Sequence, residues 1–147
     1  MKIYFCCSIR GGRDDVKFYG AIVQWIKGIG TVLTEHVSRP ELTEKGEDVS
    51  AVGDKHIHDR DIEWLQEADV VIAEVTQPSL GVGYEIGRAV AMNKKVLCLF
   101  RPSSGRVLSA MIRGANDGCR FLVRDYTEDT MQEVLQEYFE KIFPAIK

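Results

Sequence analysis

Short apolar runs, separated by longer mixed segments, are the main pattern of this chain. The clearest run, VVIAEV at residues 70–75, is followed by turn-forming residues and carries apolar side chains at successive positions. Such a run is typical of a central parallel strand that is covered on both faces. Runs of similar character predict five strands, at residues 2–8, 31–36, 68–74, 95–100 and 120–123.

Helix signals occupy the segments between these strands. They include acidic first turns, apolar stripes and, for the last helix, Thr127 as a capping residue. The predicted helices run from residue 15 to 27, from 56 to 66, from 83 to 92, within 103–113, and from 127 to 143, while the polar stretch 37–54 predicts an exposed loop. Strands that alternate with helices predict an α/β fold with a single doubly wound five-stranded parallel sheet and helices on both faces.

The length and the charge of the chain limit the number of domains and the kinds of partner that we expect. Its 147 residues correspond to one domain, residues 1–147. The formal net charge of −3 argues against a nucleic acid polymer as partner, because binding to the phosphate backbone needs a basic face. No apolar run approaches the roughly 20 residues of a membrane span, so we expect no membrane partner.

The cysteines bear on the cellular compartment. Cys6, Cys7, Cys98 and Cys119 follow no metal-ligand spacing, and three of them lie in or beside apolar runs. We therefore expect reduced, partly buried thiols and no metal site. Residues 1–5 also lack the features of a secretory leader. A cytoplasmic location, with the nucleus as a further location, is the expectation that follows.

A glycine-containing loop follows the first strand. The sequence SIRGGR at residues 8–13 places Gly11 and Gly12 ahead of a predicted helix. Glycines permit close approach of the backbone, and the free N–H groups of a helix start face an anion. The loop is not a P-loop, since no Gly-Lys-Ser/Thr follows, and it lacks the third glycine of a dinucleotide-binding motif. Taken alone, it fits a plain turn as well as a phosphate or carboxylate site.

Two carboxylates are candidates for chemistry. Glu85 opens the predicted helix at 83–92, beyond the carboxyl end of a strand, where folds of this class place their active sites. Asp61 lies near the end of the preceding predicted helix, so both can converge on one pocket. Paired carboxylates are the usual apparatus for cleaving a glycosidic bond. The alternatives are a Glu85 that only complements the helix dipole and an Asp61 on a solvated face.

Two further features leave alternatives open. His36, at the end of the second predicted strand, either contacts a ligand or is structural. The segment at residues 100–113 mixes arginines, serines and apolar side chains. It either binds an anion or packs against another subunit.

Taken together, these segments resemble the nucleoside 2-deoxyribosyltransferase family. The resemblance rests on YFC at 4–6, SIRGG at 8–12, TEHV at 34–37, ADVVIAEVTQPSLGVGYE at 68–85 and RVLSAMIRG at 106–114. It spans nearly the whole chain and is weakest at residues 37–54 and in the last helix. Within the family, the chain is most similar to the members that hydrolyse 2′-deoxynucleoside 5′-monophosphates, which have glycine in place of Cys7.

The resemblance implies a Rossmann- or flavodoxin-like fold and a hydrolase that releases a free base and 2-deoxyribose 5-phosphate. It implies that Glu85 attacks C1′ to form a covalent intermediate, that Asp61 handles the proton for departure of the base, and that Tyr4 orients the Glu85 carboxylate. The implied substrate contacts are Ser8, Ile9, Arg10, Gly11, Gly12, His36, Ser79, Gly81, Ser109 and Met111. Ser79 would bind the phosphate together with a Ser109 supplied by the other subunit of a homodimer, and no cofactor is implied.

Two other functions remain open at this point. One is transfer of the deoxyribosyl group to a second base, which shares the covalent intermediate with hydrolysis. The other is a module that binds nucleotides without turnover. Phosphate-binding hydroxyls at Ser79 and Ser109 favour the nucleotide hydrolase over the transferase, and the pair Glu85 and Asp61 favours an enzyme over a binding module.

Overall fold

The fold is an α/β sandwich built on one parallel sheet. The computed structural model describes residues 1–9, 15–38 and 53–142, so Arg10, Gly11 and Gly12 lie outside the described residues. All strand pairs in the sheet are parallel, and the strand order is β2-β1-β3-β4-β5. The strands are β1 (Lys2–Cys6), β2 (Thr31–Val32), β3 (Val70–Glu74), β4 (Lys95–Phe100) and β5 (Phe121–Asp125). The predicted fold class is confirmed.

Helices connect the strands and cover the sheet. They are α1 (Val16–Ile26), α2 (Asp54–Glu67), α3 (Leu80–Ala91), α4 (Ala110–Arg113) and α5 (Met131–Ile142). Single turns of 3₁₀-helix lie at Glu35–Ser38 and Pro102–Ser104. No helix among the described residues is long and apolar enough to cross a membrane.

The side chains of each strand alternate between two hydrophobic cores. Ile3 and Phe5 of β1 point into the core that the sheet forms with α1 and α5. Tyr4 and Cys6 point into the opposite core, which contains the buried faces of α2 and α3. Because successive side chains of a strand point to opposite faces, Tyr4 lies on the same side of the sheet as α3, which carries Glu85.

The second strand is shorter than predicted. It ends at Val32, and His36 lies in the 3₁₀ turn rather than at a strand end. The cause is the side chain of Thr34. Its Oγ1 accepts a hydrogen bond from Phe5 N at 2.9 Å and donates one to Phe5 O at 2.5 Å. A threonine side chain thus pairs with the backbone groups that the next residue of β2 would have bonded.

The helix that carries Glu85 begins earlier than predicted. It starts at Leu80 instead of Gly83, because Ser79 caps it by accepting a hydrogen bond from Val82 N at 3.3 Å. Glu85 therefore lies in the second turn of α3, and the alternative in which it complements the dipole of the first turn is wrong. In the same way α2 begins at Asp54, so that Asp61 lies in the middle of that helix and not near its end.

Smaller boundary differences occur at the other elements. The first strand ends two residues early, at Cys6, and the last runs on to Asp125. Thr127 does cap a turn, in which Thr127 and Thr130 each accept a hydrogen bond from the other's backbone N–H, but α5 itself starts at Met131. Cys6, Cys7 and Cys98 are buried free thiols and Cys119 is an exposed one, so the predicted partial burial of the cysteines is confirmed.

Candidate active site

Tyr4 and Glu85 form the centre of the candidate site. Tyr4 comes from β1 and is buried, while Glu85 comes from the second turn of α3 and is partly buried. The Tyr4 hydroxyl donates a hydrogen bond to Oε2 of Glu85. This contact leaves Oε1 of the carboxylate as the oxygen that is not engaged by Tyr4.

The surroundings of Glu85 raise its pKa to about 7. Burial is the main cause, because it penalises the charged form, and the negative charge of Asp61 adds to it. The hydrogen bond from Tyr4 acts in the opposite direction, since it stabilises the carboxylate. A carboxyl group in this state exchanges its proton near neutral pH, as acid–base and nucleophilic chemistry require.

Tyr4 stays protonated throughout the physiological range. Burial raises the pKa of its phenol well above the usual value, and the charges of Glu85 and Asp61 raise it further. The hydroxyl is therefore a permanent hydrogen-bond donor to Glu85. Its position beside Glu85 confirms the geometry that the sequence predicted for Tyr4, while its catalytic role stays a prediction.

Asp61 is held by a neighbour that sequence reasoning missed. Nε and Nη2 of Arg60 donate to Oδ1 of Asp61 at 3.1 and 3.0 Å. The Arg60 guanidinium lies over the ring of Trp64, 4.7 Å from its centroid, as a cation–π contact. The available signal was the spacing of Arg60 and Trp64, four residues apart on an amphipathic helix, which places them on one face.

His36 adjoins this cluster. Nη2 of Arg60 lies 3.4 Å from Nε2 of His36, and the His36 and Trp64 rings are 5.9 Å apart between centroids. The 3₁₀ turn after β2 thus brings His36 next to α2. The structure therefore brings together four predicted site residues on one side of the sheet, namely Tyr4, His36, Asp61 and Glu85.

The predicted substrate loop is described only at its start. Ser8 is fully buried just beyond the carboxyl end of β1. Ile9 is partly buried and packs against the core on the α1 side of the sheet. The predictions for Arg10, Gly11 and Gly12 fall outside the described residues.

A second group of predicted residues lines a groove beside α3. The groove has a volume of about 520 Å³ and includes Ser79, Ser109 and Met111. Each serine accepts a hydrogen bond from the helix that it caps, Ser79 from Val82 N and Ser109 from Met111 N at 3.2 Å. Gly81, in the first turn of α3, is exposed next to Ser79. Apolar side chains make up most of the lining, including Leu80, Val82, Ile86, Val107, Leu108 and Ile112.

The groove and Glu85 occupy adjacent surfaces of α3. Val82 and Ile86 line the groove, whereas Glu85 is not among the lining residues. Residues 82 and 86 are one helical turn apart on one face, and Glu85 lies next to that face. Within residues 1–9, 15–38 and 53–142, no group of three or more His, Cys, Asp or Glu side chains is arranged to hold a metal ion.

Comparison with known proteins identifies the family. Residues 3–134 match the family model of nucleoside 2-deoxyribosyltransferases. The chain is 64% identical over 139 residues to the 5-hydroxymethyl-dUMP N-hydrolase of Tetraodon nigroviridis, covering 95% of this chain and 97% of that protein. It is also 64% identical over 138 residues to the Homo sapiens protein of the same name, covering 94% and 79%. The chain therefore belongs to the nucleoside 2-deoxyribosyltransferase family.

A solved structure supports the fold. The CMP N-glycosidase BcmB from Clostridium botulinum superimposes with a TM-score of 0.68, at 18% identity, over 94% of this chain and 99% of that one. At this identity the likeness concerns the fold alone. The predicted family and the prediction of an N-hydrolase enzyme are confirmed by the relatives that share more than 60% of their residues with this chain.

Proposed function

We propose that the protein hydrolyses the N-glycosidic bond of 2′-deoxynucleoside 5′-monophosphates. The products are a free base and 2-deoxyribose 5-phosphate. The observation that carries the proposal is the hydrogen bond from Tyr4, a permanent donor, to Glu85, together with a second carboxylate, Asp61, whose charge raises the pKa of Glu85. This arrangement provides an anion for a developing positive charge at C1′ and a second acidic group for proton transfer.

The first step of the proposed reaction is covalent. An ionised Glu85 oxygen attacks C1′, a carbon–oxygen bond forms, and the C1′–N bond breaks with its electron pair going to the base. Tyr4 orients this step, because its hydroxyl engages Oε2 and leaves Oε1 for attack. Asp61 handles the proton that the departing base takes up. In the second step a water oxygen bonds to C1′, the bond between C1′ and the Glu85 oxygen breaks with its electron pair going to Glu85, and the proton of the water passes to Asp61, which the first step left ionised.

The phosphate group would hold C1′ in place. Ser79 and Ser109 present hydroxyls at the starts of α3 and α4, and backbone N–H groups at helix starts favour anions. Arg10, which lies outside the described residues, is the proposed cationic contact. Fixing the phosphate at a set distance from the nucleophile converts binding into correct orientation of the sugar.

A homodimer is part of the proposal. Leu80, Val107 and Met111 border the groove and are 97%, 93% and 83% exposed. Apolar side chains so exposed around one groove are typical of a surface that another chain covers. A two-fold contact would bring Ser109 of each subunit to the phosphate site of the other and build two equivalent sites.

The names of the relatives suggest the first substrate to test. The Tetraodon nigroviridis and Homo sapiens relatives are both named 5-hydroxymethyl-dUMP N-hydrolase, so we propose this deoxynucleotide as a substrate of the present chain. The cytoplasm and the nucleus stay the proposed locations.

The decisive experiment is chromatographic measurement of base release from three compounds. These are 5-hydroxymethyl-dUMP, its ribonucleotide and its unphosphorylated 2′-deoxynucleoside. We expect the deoxynucleotide to have the highest kcat/KM and the ribonucleotide to lose more than about 10²-fold, mainly in kcat, because the 2′-hydroxyl destabilises positive charge at C1′. Equal kcat/KM for nucleotide and nucleoside would overturn the monophosphate assignment.

Two further measurements test the mechanism. A deoxynucleotide carrying fluorine at C2′ slows both steps, and mass spectrometry should find the sugar phosphate on the peptide that contains Glu85. An adduct on another peptide would contradict the covalent step, and so would the absence of any adduct while the slow substrate is being turned over.

An excess of a second free base in the hydrolysis assay distinguishes the hydrolase from the transferase. A transferase would form a new nucleotide in preference to 2-deoxyribose 5-phosphate.

A further inference from the structure

A buried polar network lies beside the carboxyl ends of β3 and β4, outside the candidate active site. Glu74 ends β3 and is fully buried, and Arg101 follows β4 at 5% exposure. Nη1 of Arg101 donates to Oε2 of Glu74 at 3.1 Å, and Nη2 donates to Oδ1 of Asp15 at 2.8 Å. Asp15 directly precedes α1 and is also buried. One guanidinium therefore bridges two carboxylates from different parts of the chain.

Neighbouring groups complete the network. Glu74 accepts hydrogen bonds from Thr76 N at 2.6 Å, from Thr76 Oγ1 at 3.1 Å and from the hydroxyl of Tyr126. The Arg101 guanidinium also lies over the Phe18 ring, 3.6 Å from its centroid. Apolar side chains of the same volume often stabilise a fold as well as a buried ion network does. Stability alone is therefore a weak account of this arrangement.

The network is joined to both segments that line the groove. Arg101 N donates to Oγ1 of Thr76 at 2.9 Å, and Thr76 is three residues before Ser79. Nη1 of Arg106 donates to Oδ2 of Asp15 at 3.4 Å, and Arg106 is three residues before Ser109. The loops that end in the two serines are thus tied to one buried anchor.

We propose that Glu74, Arg101 and Asp15 form a positioning network for the Ser79 and Ser109 segments. Through these two segments the network sets the position of the substrate's 5′-phosphate. The inference rests on the proposed function for the identity of that phosphate. The network acts through the two serines. Loss of the network should therefore weaken binding of the 5′-phosphate while leaving the Tyr4–Glu85 pair intact, since Tyr4 comes from β1 and Glu85 from the second turn of α3, beyond the turn that Ser79 caps.

Two mild variants test the network. Thr76→Val removes the hydroxyl that links Glu74 to the backbone of Arg101 at nearly constant volume, and Thr76→Ser retains that hydroxyl. Arg106→Met removes the partly exposed link from Asp15 to the Ser109 segment. The control is Arg124→Met, which removes an arginine from an exposed ion pair with Glu137 on the far edge of the sheet. We expect KM for a deoxynucleotide to rise about tenfold or more in Thr76→Val and Arg106→Met.

The unphosphorylated deoxynucleoside supplies the readout that separates positioning from folding. Its kcat/KM should change less than about twofold in both variants, and Thr76→Ser and Arg124→Met should match the wild type on both substrates. A parallel loss for nucleotide and nucleoside, in step with a lower melting temperature, would show a purely structural role and overturn the proposal.

A binding measurement keeps this test separate from that of the proposed reaction. Calorimetric titration with 2-deoxyribose 5-phosphate should give weaker binding to Thr76→Val and Arg106→Met than to wild type, even if the wild type released no base. Equal affinity in all forms, or no binding to the wild type, would overturn the network's role. Absence of base release alone would contradict only the proposed function.

Discussion

The hydroxyl of Tyr4 donates a hydrogen bond to the carboxylate of Glu85, although the two residues are 81 positions apart in the chain. The contact exists because β1 is a neighbour of β3 in the sheet and α3 packs on the face to which Tyr4 points. It couples a buried, permanently protonated phenol to a carboxyl group with a raised pKa of about 7. This coupling makes the pH dependence of the enzyme testable.

Removal of the Tyr4 hydroxyl should shift the pH profile upward. In the wild type, kcat/KM should rise with pH as Glu85 ionises with a pKa of about 7. The hydrogen bond from Tyr4 lowers the pKa of Glu85, so Tyr4→Phe should move the acidic limb to higher pH by about one unit. The measurement is kcat/KM between pH 5 and 9. If the acidic limb of the profile stayed in place or moved to lower pH, ionisation of Glu85 would not be its origin.

Asp61→Asn should shift the same limb in the opposite direction. The charge of Asp61 raises the pKa of Glu85, and a neutral side chain of equal size removes that effect. We also expect the rate to fall by about 10²–10⁴-fold if proton transfer is lost. A substrate whose base departs without protonation should lose less. Asp69→Asn, at an exposed position before β3, is the matched control. If Asp61→Asn lost the same activity on both substrates, a role of Asp61 in proton transfer would be contradicted.

Glu85→Gln should abolish base release and also change stability in a pH-dependent way. The pKa of Glu85 is about 7 in the folded protein against an ordinary value of 4.5, so the folded state retains a proton that the unfolded state has lost between these values. Wild-type stability should therefore fall as pH rises from about 4.5 to 7. The variant does not undergo this loss, which amounts to roughly 3 kcal/mol above pH 7.

Melting temperatures at pH 4.5 and pH 8 check the stability effect. The difference between Glu85→Gln and wild type should be small at pH 4.5 and clearly in favour of the variant at pH 8. Glu133→Gln, on the exposed side of α5, is the matched control. Binding of the deoxynucleotide should survive in Glu85→Gln, and retention of more than a few per cent of turnover would exclude Glu85 as the nucleophile.

A charge at the rim of the groove should break the proposed dimer. Met111 is 83% exposed, so Met111→Lys adds a cation to the apolar contact without disturbing the core of one chain. Sedimentation velocity should show a dimer for wild type and a monomer for Met111→Lys, with activity lost in parallel. Lys55→Met, on an exposed position of α2, should remain dimeric. A fully active wild-type monomer at assay concentration would contradict the proposal that two subunits share each site.

Apolar runs such as residues 70–75 and the helix signals between them determined the α/β class and the parallel sheet. The motifs that contain Tyr4 and Glu85 likewise determined the family, and the position of Asp61 in the helix before Glu85 made it the second candidate carboxylate. These are properties of local sequence, because the spacing of apolar side chains reports how many faces of an element are buried. The same local signals located α3 only to within three residues, because a serine cap and a glycine-rich first turn have no apolar periodicity.

Only the tertiary structure decided which of these residues meet. It placed Arg60 against Asp61 and His36 beside Arg60. His36 lies in the turn that follows β2, which ends early because of the side chain of Thr34. The tertiary structure also joined Asp15 to Arg101, which are 86 residues apart. Such contacts depend on the strand order and on the side of the sheet that each helix covers, and neither is encoded in the periodicity of one segment. Burial, which raises the pKa of Glu85, is likewise a product of that packing.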